Sequence, residues 1–391
     1  IYLGKHGTSE SQAEYRRVIA EWLASPTQAI HLDRPIGSAI VNELVLAYLR
    51  FAKTYYIKNG RPSGEIPNLK DAVKPLVLMH GHVPVSEFSP MSLKAVREEM
   101  IKADLSRGVI NGRVNRIRRV FKWGVENEIV PPSVLHGLQA VSPLKRGRCQ
   151  VRETAPVVPV PEELIEAVLR VAPSQIAAMI ELQRLTGMRP GEVVLMRGCD
   201  LDTTEPIWIY MPMEHKTQHH GRERVIHLGP HSQQFLKPHL KADMGMFIFN
   251  PRDVASARSV SRRQARTTPL TPSQRARMPE ANPKRQLGER YTTMSYARAI
   301  TYACDQATPH PLLSTTQYSK LSPEQQEEVT AWRKAHRWSP NRLRHNAATL
   351  LRKQFGIEAA RVVLGHSSAG ITEIYAEQDF SKAAEIMATV G

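Results

Sequence analysis

The sequence predicts a mainly α-helical protein with a small antiparallel β-sheet, divided into two domains. The chain has 391 residues, and domains hold roughly 150 residues each, so two compact domains are expected. Apolar residues recur every three or four positions over most of the chain, which is the spacing of a buried helix face. One short stretch, residues 207–211, instead alternates at the period of a β-strand. The sheet is therefore expected to be a minor part of the fold.

The first 37 residues are predicted to form a small N-terminal appendage. Ser9 and Gln12 match a capping box. Apolar residues at helical spacing over 15–23 predict one helix after it. That helix should end before Ser25, because the residue that precedes a proline is disfavoured in a helix.

Residues 38–142 are predicted to form a helical domain. Its helices are expected in four segments, bounded by glycines, prolines and capping residues. These are 40–57, 68–79 with a kink or break at Pro75, a third that starts after Ser89-Pro90, and 106–127.

The fourth of these segments has two unlike faces. One is apolar and predicts burial, and it consists of Ile110, Val114, Ile117, Phe121 and Val125. The other is a basic stripe, formed by Arg113, Arg116, Arg119 and Lys122. Such a stripe is ordinarily a solvated surface, but in a chain with a net charge of +16 it favours a helix that faces phosphates.

Residues 143–161 are predicted to be a linker, because they are basic, contain prolines and hold few large apolar residues. We expect this segment to cross a DNA backbone without packing. Residues 162–391 are predicted to form the second domain, in which residues 207–211 and 225–228 supply the β-strands.

An insertion is predicted within the second domain at residues 251–290. It carries ten basic and three acidic side chains and few large apolar ones. A segment of this composition cannot bury enough apolar surface to fold by itself. We therefore expect an extended or disordered basic insertion.

Composition limits the possible functions. The 53 Lys and Arg residues exceed the 37 Asp and Glu residues, and the net charge of +16 favours a polyanionic partner. No run approaches the ~18 uncharged apolar residues of a membrane helix, so no membrane association is expected. Three scattered cysteines, Cys149, Cys199 and Cys304, argue against disulfides and predict a reducing cytoplasm. The chain opens at Ile1 rather than Met, which predicts that part of the N-terminus is missing.

Four short segments of the second domain carry candidate functional residues. They are 186–192 (TGMRPGE), 215–217 (HKT), 339–345 (SPNRLRH) and 364–368 (LGHSS), with Tyr375 nine residues after His366. In the third segment, Ser339 is the predicted helix cap and Pro340 the first-turn proline. Singly, each segment has an ordinary structural interpretation, such as a surface arginine, a solvated lysine or a packed histidine. Their joint order and spacing favour a functional site.

In these segments the chain resembles a tyrosine recombinase of the phage-integrase family. The resemblance spans residues 38–380 and is most specific in the two arginine segments and the histidine–tyrosine segment. It implies two phosphate-clamping arginines, a hairpin lysine, a histidine and a tyrosine nucleophile, which are Arg189, Arg344, Lys216, His366 and Tyr375. Glu192 matches the acidic residue that supports the first arginine.

The same resemblance implies an architecture and an assembly. The two domains would form a clamp on double-stranded DNA, and the protein would work as a homotetramer on two DNA sites. Residues 1–37 would be the remnant of an arm-type DNA-binding module. Strands would be cut and rejoined through a covalent 3′-phosphotyrosine intermediate.

The residue types fit this chemistry. Two guanidiniums give paired N–H donors to the phosphate oxygens and stay charged at any working pH. A tyrosine hydroxyl has an ordinary pKa of about 10 and needs help to lose its proton. A lysine on a hairpin can protonate the leaving 5′ oxygen. Because the arginines stabilise the charge, no metal and no cofactor are expected.

One position departs from the family pattern. The family usually has His, sometimes Lys, three residues before the second arginine, where this chain has Asn341. Asn341 lies about one helical turn from Arg344 and can hydrogen-bond a phosphate oxygen, but it has no basic nitrogen. Two interpretations of Asn341 remain open, which are an active enzyme with slower chemistry and an impaired or inactive enzyme. His345 lies about 100° round the helix and is expected to have a structural role.

The hairpin that carries Lys216 is rich in histidine, with His215, His219, His220 and His227. A metal site is not expected, because these residues lie in a hairpin with no cysteine nearby. Four side chains are instead expected along a DNA groove, and they are His219, His220, Arg222 and Arg224.

The sequence thus favours a site-specific DNA recombinase, cytoplasmic and associated with the nucleoid. A catalytically impaired DNA-binding relative is the first alternative, because of Asn341. A type IB topoisomerase-like enzyme is the second, since it shares the tyrosine chemistry. A structural chromatin binder would explain the charge but not Tyr375 or the arginine segments.

Overall fold

The computed structural model describes residues 8–13, 35–58, 60–213, 224–269, 271–276 and 286–375. These residues are mainly α-helical, and their strands form one two-stranded and one three-stranded antiparallel sheet. The predicted fold class is therefore confirmed. The chain divides into two compact units, Ile1–Pro156 (unit 1) and Val157–Gly391 (unit 2). None of the described helices is long and apolar enough to cross a membrane.

Unit 1 is a helical bundle with one very short hairpin. Its elements are α1 (9–13), α2 (Val41–Tyr55), β1 (Ile57–Lys58), β2 (Arg61–Pro62), α3 (Glu65–His80), α4 (Pro90–Lys102), α5 (Arg107–Glu126) and α6 (Pro132–Gln139). In α1 the cap is Thr8 rather than Ser9, because the Thr8 hydroxyl accepts from the Ser11 amide at 3.2 Å. The helix predicted over 15–23 lies outside the described residues.

The core of unit 1 forms where α5 packs against α2 and α3. The predicted apolar face of α5 is buried at Ile110, Val114, Ile117 and Phe121, and Val125 is half-buried. Side chains at this spacing share one side of a helix, so a single face fills the core.

In unit 1, the start of α4 follows its local signal, whereas α3 does not follow the signal at Pro75. The Ser89 hydroxyl accepts from the Ser92 amide at 3.2 Å, and Pro90 occupies the first turn of α4, as predicted. The predicted break at Pro75 is wrong, because α3 runs continuously through it. Leu69, Val73 and Leu76 of α3 are buried in the core, and that packing holds the helix together around the proline.

The predicted linker segment 143–161 makes packed contacts, in contrast to the lack of packing expected from its composition. Its first part packs on unit 1, where the Arg107 side chain pairs with Glu153 and the Arg107 amide donates to the Arg152 carbonyl at 3.0 Å. Its last part packs on unit 2, where Asn346 exchanges two hydrogen bonds with the main chain of Val160, at 2.8 and 2.7 Å. Main-chain groups near a packed surface need partners, and these contacts supply them.

Unit 2 is a second helical bundle around a small sheet. Its helices are α7 (Glu162–Val171), α8 (Ser174–Thr186), α9 (Pro190–Val194), α10 (Pro230–Leu236), α11 (Pro251–Gln264), α12 (Pro272–Ala276), α13 (Thr293–Ala307), α14 (Pro311–Thr315), α15 (Pro323–His336), α16 (Asn341–Leu364) and α17 (Ala369–Tyr375). Its strands are β3 (Leu201–Asp202), β4 (Trp208–Tyr210) and β5 (Ile226–Leu228).

The sheet confirms the predicted pair of strands and adds a third. Strands β4 and β5 pair antiparallel with Ile209 opposite His227, and β3 adds at the other edge of β4. The loop between β4 and β5 includes residues 214–223, which lie outside the described residues.

The insertion differs from its prediction. Residues 251–264 form helix α11 rather than an extended or disordered segment. The Asn250 side chain caps this helix by accepting from the Arg252 amide at 2.9 Å, and Pro251 occupies the first turn. A capping Asn followed by proline is a strong start signal, and it outweighs the polar composition here.

Helices α8 and α16 position the candidate site. They pack against each other, and α17 packs on α16. Gly356, with φ 84°, separates α16 into two helical parts, so its C-terminal part changes direction. Pro340 rather than Ser339 occupies the cap position of α16, and no side chain caps it.

Candidate active site

The site is built around the end of α8, where the chain turns sharply from one helix into the next. Gly187 ends α8 with φ 64°, a left-handed conformation that favours glycine. A Cβ at this position would lie 2.4 Å from Leu364 Cδ2, so only glycine permits this approach of α8 to α16. The turn places Arg189 at the cap position of α9.

Glu192 holds Arg189 in two ways. One carboxylate oxygen accepts from the Arg189 main-chain amide at 2.7 Å, and the other accepts from Arg189 Nη1 at 2.9 Å. The Glu192 side chain is buried, whereas the Arg189 side chain is 23% exposed. The carboxylate therefore fixes the position of the guanidinium and occupies one of its five N–H donors.

Arg344 lies on the first turn of α16 and is completely buried. Its Nη1 donates to the Gly187 carbonyl at 2.6 Å, and its Nη2 donates to the Leu364 carbonyl at 2.7 Å. Its Nε has no partner among the described residues. Burial, followed by repulsion from Arg189, lowers the pKa of the Arg344 guanidinium to about 9. The group therefore stays protonated at neutral pH.

His366 follows the left-handed Gly365 that ends α16. Its Nε2 lies 2.6 Å from Arg344 Nη2, and its Nδ1 lies 3.0 Å from the Thr372 hydroxyl. Burial, followed by repulsion from Arg344, lowers the pKa of His366 to about 3, so the imidazole is neutral at pH 7. Since arginine can only donate, Nε2 accepts and the proton lies on Nδ1, which donates to Thr372.

Tyr375 ends α17 and lies against this group. Its ring centroid is 5.1 Å from that of His366 and 4.6 Å from that of His345. The Arg344 guanidinium carbon lies 5.4 Å from the centre of the same ring, which is within cation–π range. The structure thus brings together the four predicted side chains Arg189, Arg344, His366 and Tyr375.

His345 is buried on the side of α16 that faces Tyr375. Burial lowers the pKa of His345, while a hydrogen bond to the main chain of Tyr375 acts in the opposite direction. The His345 imidazole therefore holds the end of α17 through its ring contact and its hydrogen bond to Tyr375.

Arg224 is a member of the site that the sequence did not assign to it. The expectation that Arg224 lies along a DNA groove is wrong, because its side chain is only 5% exposed. Its Nη1 donates to the Val363 carbonyl at 3.1 Å, and its Nε lies 3.5 Å from Glu192 Oε1. Burial lowers the pKa of Arg224, and the Glu192 carboxylate opposes that shift. A lone arginine before a strand gave no local signal of this position.

One predicted residue is exposed, and four others lie outside the described residues. The Asn341 side chain is exposed on the first turn of α16. Lys216, His219, His220 and Arg222 lie outside the described residues.

The basic stripe of α5 lies in unit 1 and is largely paired within that unit. Arg116 donates two hydrogen bonds to the Glu65 carboxylate, at 3.0 and 2.9 Å, and Arg119 donates to the same carboxylate at 2.8 Å. Hydrogen bonding from Arg116 lowers the pKa of Glu65. Arg113 lies 3.7 Å from Asp71, and the exposed Lys122 lies 3.6 Å from Glu126 on its own helix.

The metal-ligating side chains do not cluster in the described part of the chain. Among those residues, no group of three or more His, Cys, Asp or Glu side chains could hold a metal ion.

Comparison with known proteins identifies the class. A sequence model of the phage integrase family matches residues 160–382, which is more than half of the chain. The chain therefore belongs to the phage integrase family, and this membership supports site-specific recombination as the process in which it acts. No curated protein matches the sequence.

Solved structures match the fold. The Tn1549 transposon integrase in complex with transposon right end DNA has a TM-score of 0.57 at 16% identity, over 90% of this chain and 99% of that chain. A lambda integrase dimer bound to a COC' core site has a TM-score of 0.56 at 13% identity, over 94% of this chain and 87% of that one. A lambda integrase tetramer bound to a Holliday junction has a TM-score of 0.53 at 14% identity, over 96% and 89%. At these sequence identities, the matches show a shared fold.

Proposed function

We propose that this protein is a site-specific DNA recombinase that cleaves and rejoins strands through a 3′-phosphotyrosine on Tyr375. The observation that carries the proposal is the position of the Tyr375 ring, 5.4 Å from the guanidinium carbon of the buried Arg344. A hydroxyl nucleophile and a fixed cation thus share one site. This arrangement is what attack on a phosphodiester anion requires.

The charges of the site favour an anion. Arg189, Arg224 and Arg344 bring three cations, and Glu192 is the acid that contacts the first two. Arginine has five N–H donors, and Arg344 gives three of them to Gly187, Leu364 and His366. Its Nε–H and one Nη1–H stay available for phosphate oxygens. Because the Tyr375 ring covers this guanidinium, entry of the phosphate moves the ring aside.

The chemical step is a transfer at phosphorus. The Tyr375 oxygen forms a bond to phosphorus, the bond from phosphorus to the 5′ oxygen breaks, and the DNA 3′ end stays on the enzyme. The two arginines stabilise the charge that builds on the non-bridging oxygens. The resemblance assigns protonation of the leaving 5′ oxygen to Lys216.

The tyrosine proton needs an acceptor, and this favours a second candidate function. Both ring nitrogens of His366 are occupied, by Arg344 and Thr372. Asn341 is exposed and has no basic nitrogen. Slow activation of Tyr375 is the consequence, and a DNA-binding relative without turnover is the alternative that this observation supports.

DNA and assembly belong to the same proposal. Both units contribute contacts to double-stranded DNA, with the exposed end of the α5 stripe as the candidate surface of unit 1. A homotetramer on two DNA sites is supported by the lambda integrase tetramer on a Holliday junction, which shares the fold. A topoisomerase-like enzyme would instead act as a monomer on one duplex.

The test is trapping of a covalent protein–DNA adduct. Nicked duplexes, in which the released nucleotide diffuses away, are incubated with the wild-type chain and with Tyr375→Phe. The wild type should form an adduct, and Tyr375→Phe should bind the duplex equally well and form none. Tyr302→Phe is the matched control, because Tyr302 is an exposed tyrosine on α13. An adduct in Tyr375→Phe contradicts the nucleophile, and binding without adduct in the wild type supports the inactive relative.

A further inference from the structure

Helix α11 of the insertion is unusual because it buries no residue. Every residue from 256 to 264 is exposed. A helix in a globular protein ordinarily buries one apolar face, and a helix that is polar all round is marginal without a partner. The outer part of α11 therefore needs an interaction that unit 2 does not supply in the described residues.

The base of the helix is firmly held. The Asn250 amide donates to Gln175 at 3.0 Å, and Gln175 donates to Asp253 at 3.2 Å. Lys241 pairs with Asp253 at 2.7 Å, so the acidic side chain of α11 is already neutralised.

This base lies away from the candidate active site. Gln175 is at the start of α8, and Gly187, which accepts from Arg344, is at its end. Twelve residues of helix separate the two ends by about 18 Å. The outer surface of α11 is thus distinct from the group of Arg189, Arg344, His366 and Tyr375, which we call the phosphate pocket.

The outer end of α11 forms a cationic cleft. Arg262, Arg263, Arg266 and Thr268 line an open cleft of about 330 Å³. Within the described residues, the side chains of Arg262 and Arg263 have no hydrogen-bond or ion-pair partner. Arg266 donates to the Thr268 carbonyl at 2.8 Å and to Gln274 at 2.7 Å, which holds its guanidinium at the edge of the cleft.

The arrangement of arginines opposes the stability of the helix. Arg258 and Arg262 are four residues apart on α11, and Arg263 follows directly. Like charges at this spacing repel on a helix surface. The described residues 251–269 and 271–276 hold six arginines and no lysine. Arginine differs from lysine in its planar fork, which matches two phosphate oxygens at once.

We propose that the cleft of Arg262, Arg263, Arg266 and Thr268 binds backbone phosphates of duplex DNA outside the segment held at the phosphate pocket. This surface, which we call the insertion cleft, rests on the proposed function in that it takes DNA as the partner. Bound phosphates offset the repulsion along α11 and supply the interaction that its exposed end lacks. An acidic protein segment has part of the same chemistry and is separated by the test below.

The test measures the salt dependence of binding to a random-sequence duplex of about 30 base pairs, between 50 and 200 mM NaCl. Arg262→Gln with Arg263→Gln removes two phosphate contacts, each of which contributes about 0.9 to the log–log slope. The fall in affinity over this fourfold salt range should therefore become about tenfold smaller than in the wild type. Arg170→Gln with Lys334→Gln is the control, since both side chains are exposed and the loss of charge is the same.

Each outcome decides the proposal. A slope that drops in the cleft variant and stays near wild type in the control supports it, and Arg262→Lys with Arg263→Lys should restore the slope. An unchanged slope in the cleft variant overturns it and leaves the acidic protein segment. Equal drops in both variants show a bulk charge effect and also overturn it. Unchanged thermal melting of the cleft variant confirms that the fold is intact.

The proposed function and the insertion cleft fail in different ways. At saturating DNA and low salt, the cleft variant should form the same Tyr375 adduct as the wild type. A wild-type chain that binds duplex but forms no adduct contradicts the phosphotyrosine alone, and the slopes still decide the cleft. A wild-type chain that binds no duplex contradicts both.

Discussion

Arginine occupies two opposite surroundings within unit 2. In the phosphate pocket, Arg344 is completely buried and donates to Gly187, Leu364 and His366. In the insertion cleft, the side chains of Arg262 and Arg263 are exposed and have no partner among the described residues. The same side chain is thus fixed in one place and adjustable in the other.

This difference determines what each group can do. A buried guanidinium with fixed acceptors keeps its remaining donors in place, and its charge acts in a medium of low dielectric constant. An exposed guanidinium is screened by salt within about 10 Å at 0.1 M, so it attracts a polyanion without placing any one atom. Substitution in the pocket should therefore change the chemistry, whereas substitution in the cleft should change salt-dependent affinity.

The largest effect is expected for Arg344→Lys. Lysine keeps the charge, but one ammonium cannot reach the Gly187 carbonyl, the Leu364 carbonyl and His366 together. Adduct formation should fall about 10²- to 10³-fold, the scale for loss of one preorganised donor group. DNA affinity should change far less, because other phosphate contacts remain.

Arg342→Lys is the control for that prediction. Arg342 lies on the same turn of α16 and donates to the carbonyls of Val158 and Pro159, both at 2.9 Å. Its substitution should leave the rate of adduct formation near wild type. Equal losses of binding and cleavage in Arg344→Lys would show that Arg344 only holds DNA.

A smaller effect is expected for Arg224→Gln, which tests whether a buried arginine without a predicted catalytic role shapes the pocket. The variant removes the second cation from Glu192 and the donor from the Val363 carbonyl. We expect a loss of stability on the order of 1–3 kcal/mol, since buried polar groups lose their partners. Adduct formation should fall roughly tenfold, as expected for less than one full donor group.

The comparison for Arg224 is Arg197→Gln. Arg197 also pairs with a buried carboxylate, because it donates twice to Asp200, at 3.0 and 2.8 Å. Its substitution should lower the melting temperature without slowing adduct formation per folded molecule. If both variants lose the same fraction of cleavage, Arg224 has a purely structural role.

The pH dependence of stability tests the neutral state of His366. Its folded pKa of about 3 lies below its ordinary value of 6.5. Between these values the unfolded chain binds a proton that the folded chain does not, so the free energy of unfolding should fall as pH falls from 7 to 5. His366→Gln should flatten this dependence in urea unfolding at pH 7, 6 and 5. An unchanged slope contradicts the buried, neutral imidazole.

Two other histidines act in the same direction. Burial lowers the pKa of His239 and of His345. His366→Gln should therefore reduce the dependence of the unfolding free energy on pH without abolishing it, because His239 and His345 still contribute.

The sequence predicted the features that depend on local spacing. Helical periodicity located the buried face of α5, and the motif order located Arg189, Arg344, His366 and Tyr375 in one site. The first signal lies within one helix, where the helix period fixes the geometry. The second joins segments that are far apart in the chain, and the sequence grouped them only through the family resemblance.

The features that it missed depend on distant partners. Arg224 is buried because it contacts Val363, which is 139 residues away. Arg116 is paired because Glu65 faces it from α3, which is 51 residues away. Charge alone predicts a DNA-facing side chain in both cases, since only the tertiary fold shows that an acceptor is already present.

The smallest effect is expected on α5, where paired and unpaired cations lie on one helix of unit 1. The Arg116 side chain is 24% exposed and holds Glu65, whereas Lys122 is 63% exposed and has a loose contact with Glu126. Lys122→Gln should lower the log–log salt slope of DNA binding by about 0.9 with no change in melting temperature. Arg116→Gln should instead lower the melting temperature and leave the salt slope unchanged. Its loss leaves Glu65 with Arg119 alone, and a mostly covered charge contributes little to phosphate binding.

Titration of the same duplex at several salt concentrations, together with thermal melting, separates the effects of Lys122→Gln and Arg116→Gln. Equal slopes in both variants would mean that the ion pair with Glu65 opens on DNA, and the whole stripe would then contact phosphates.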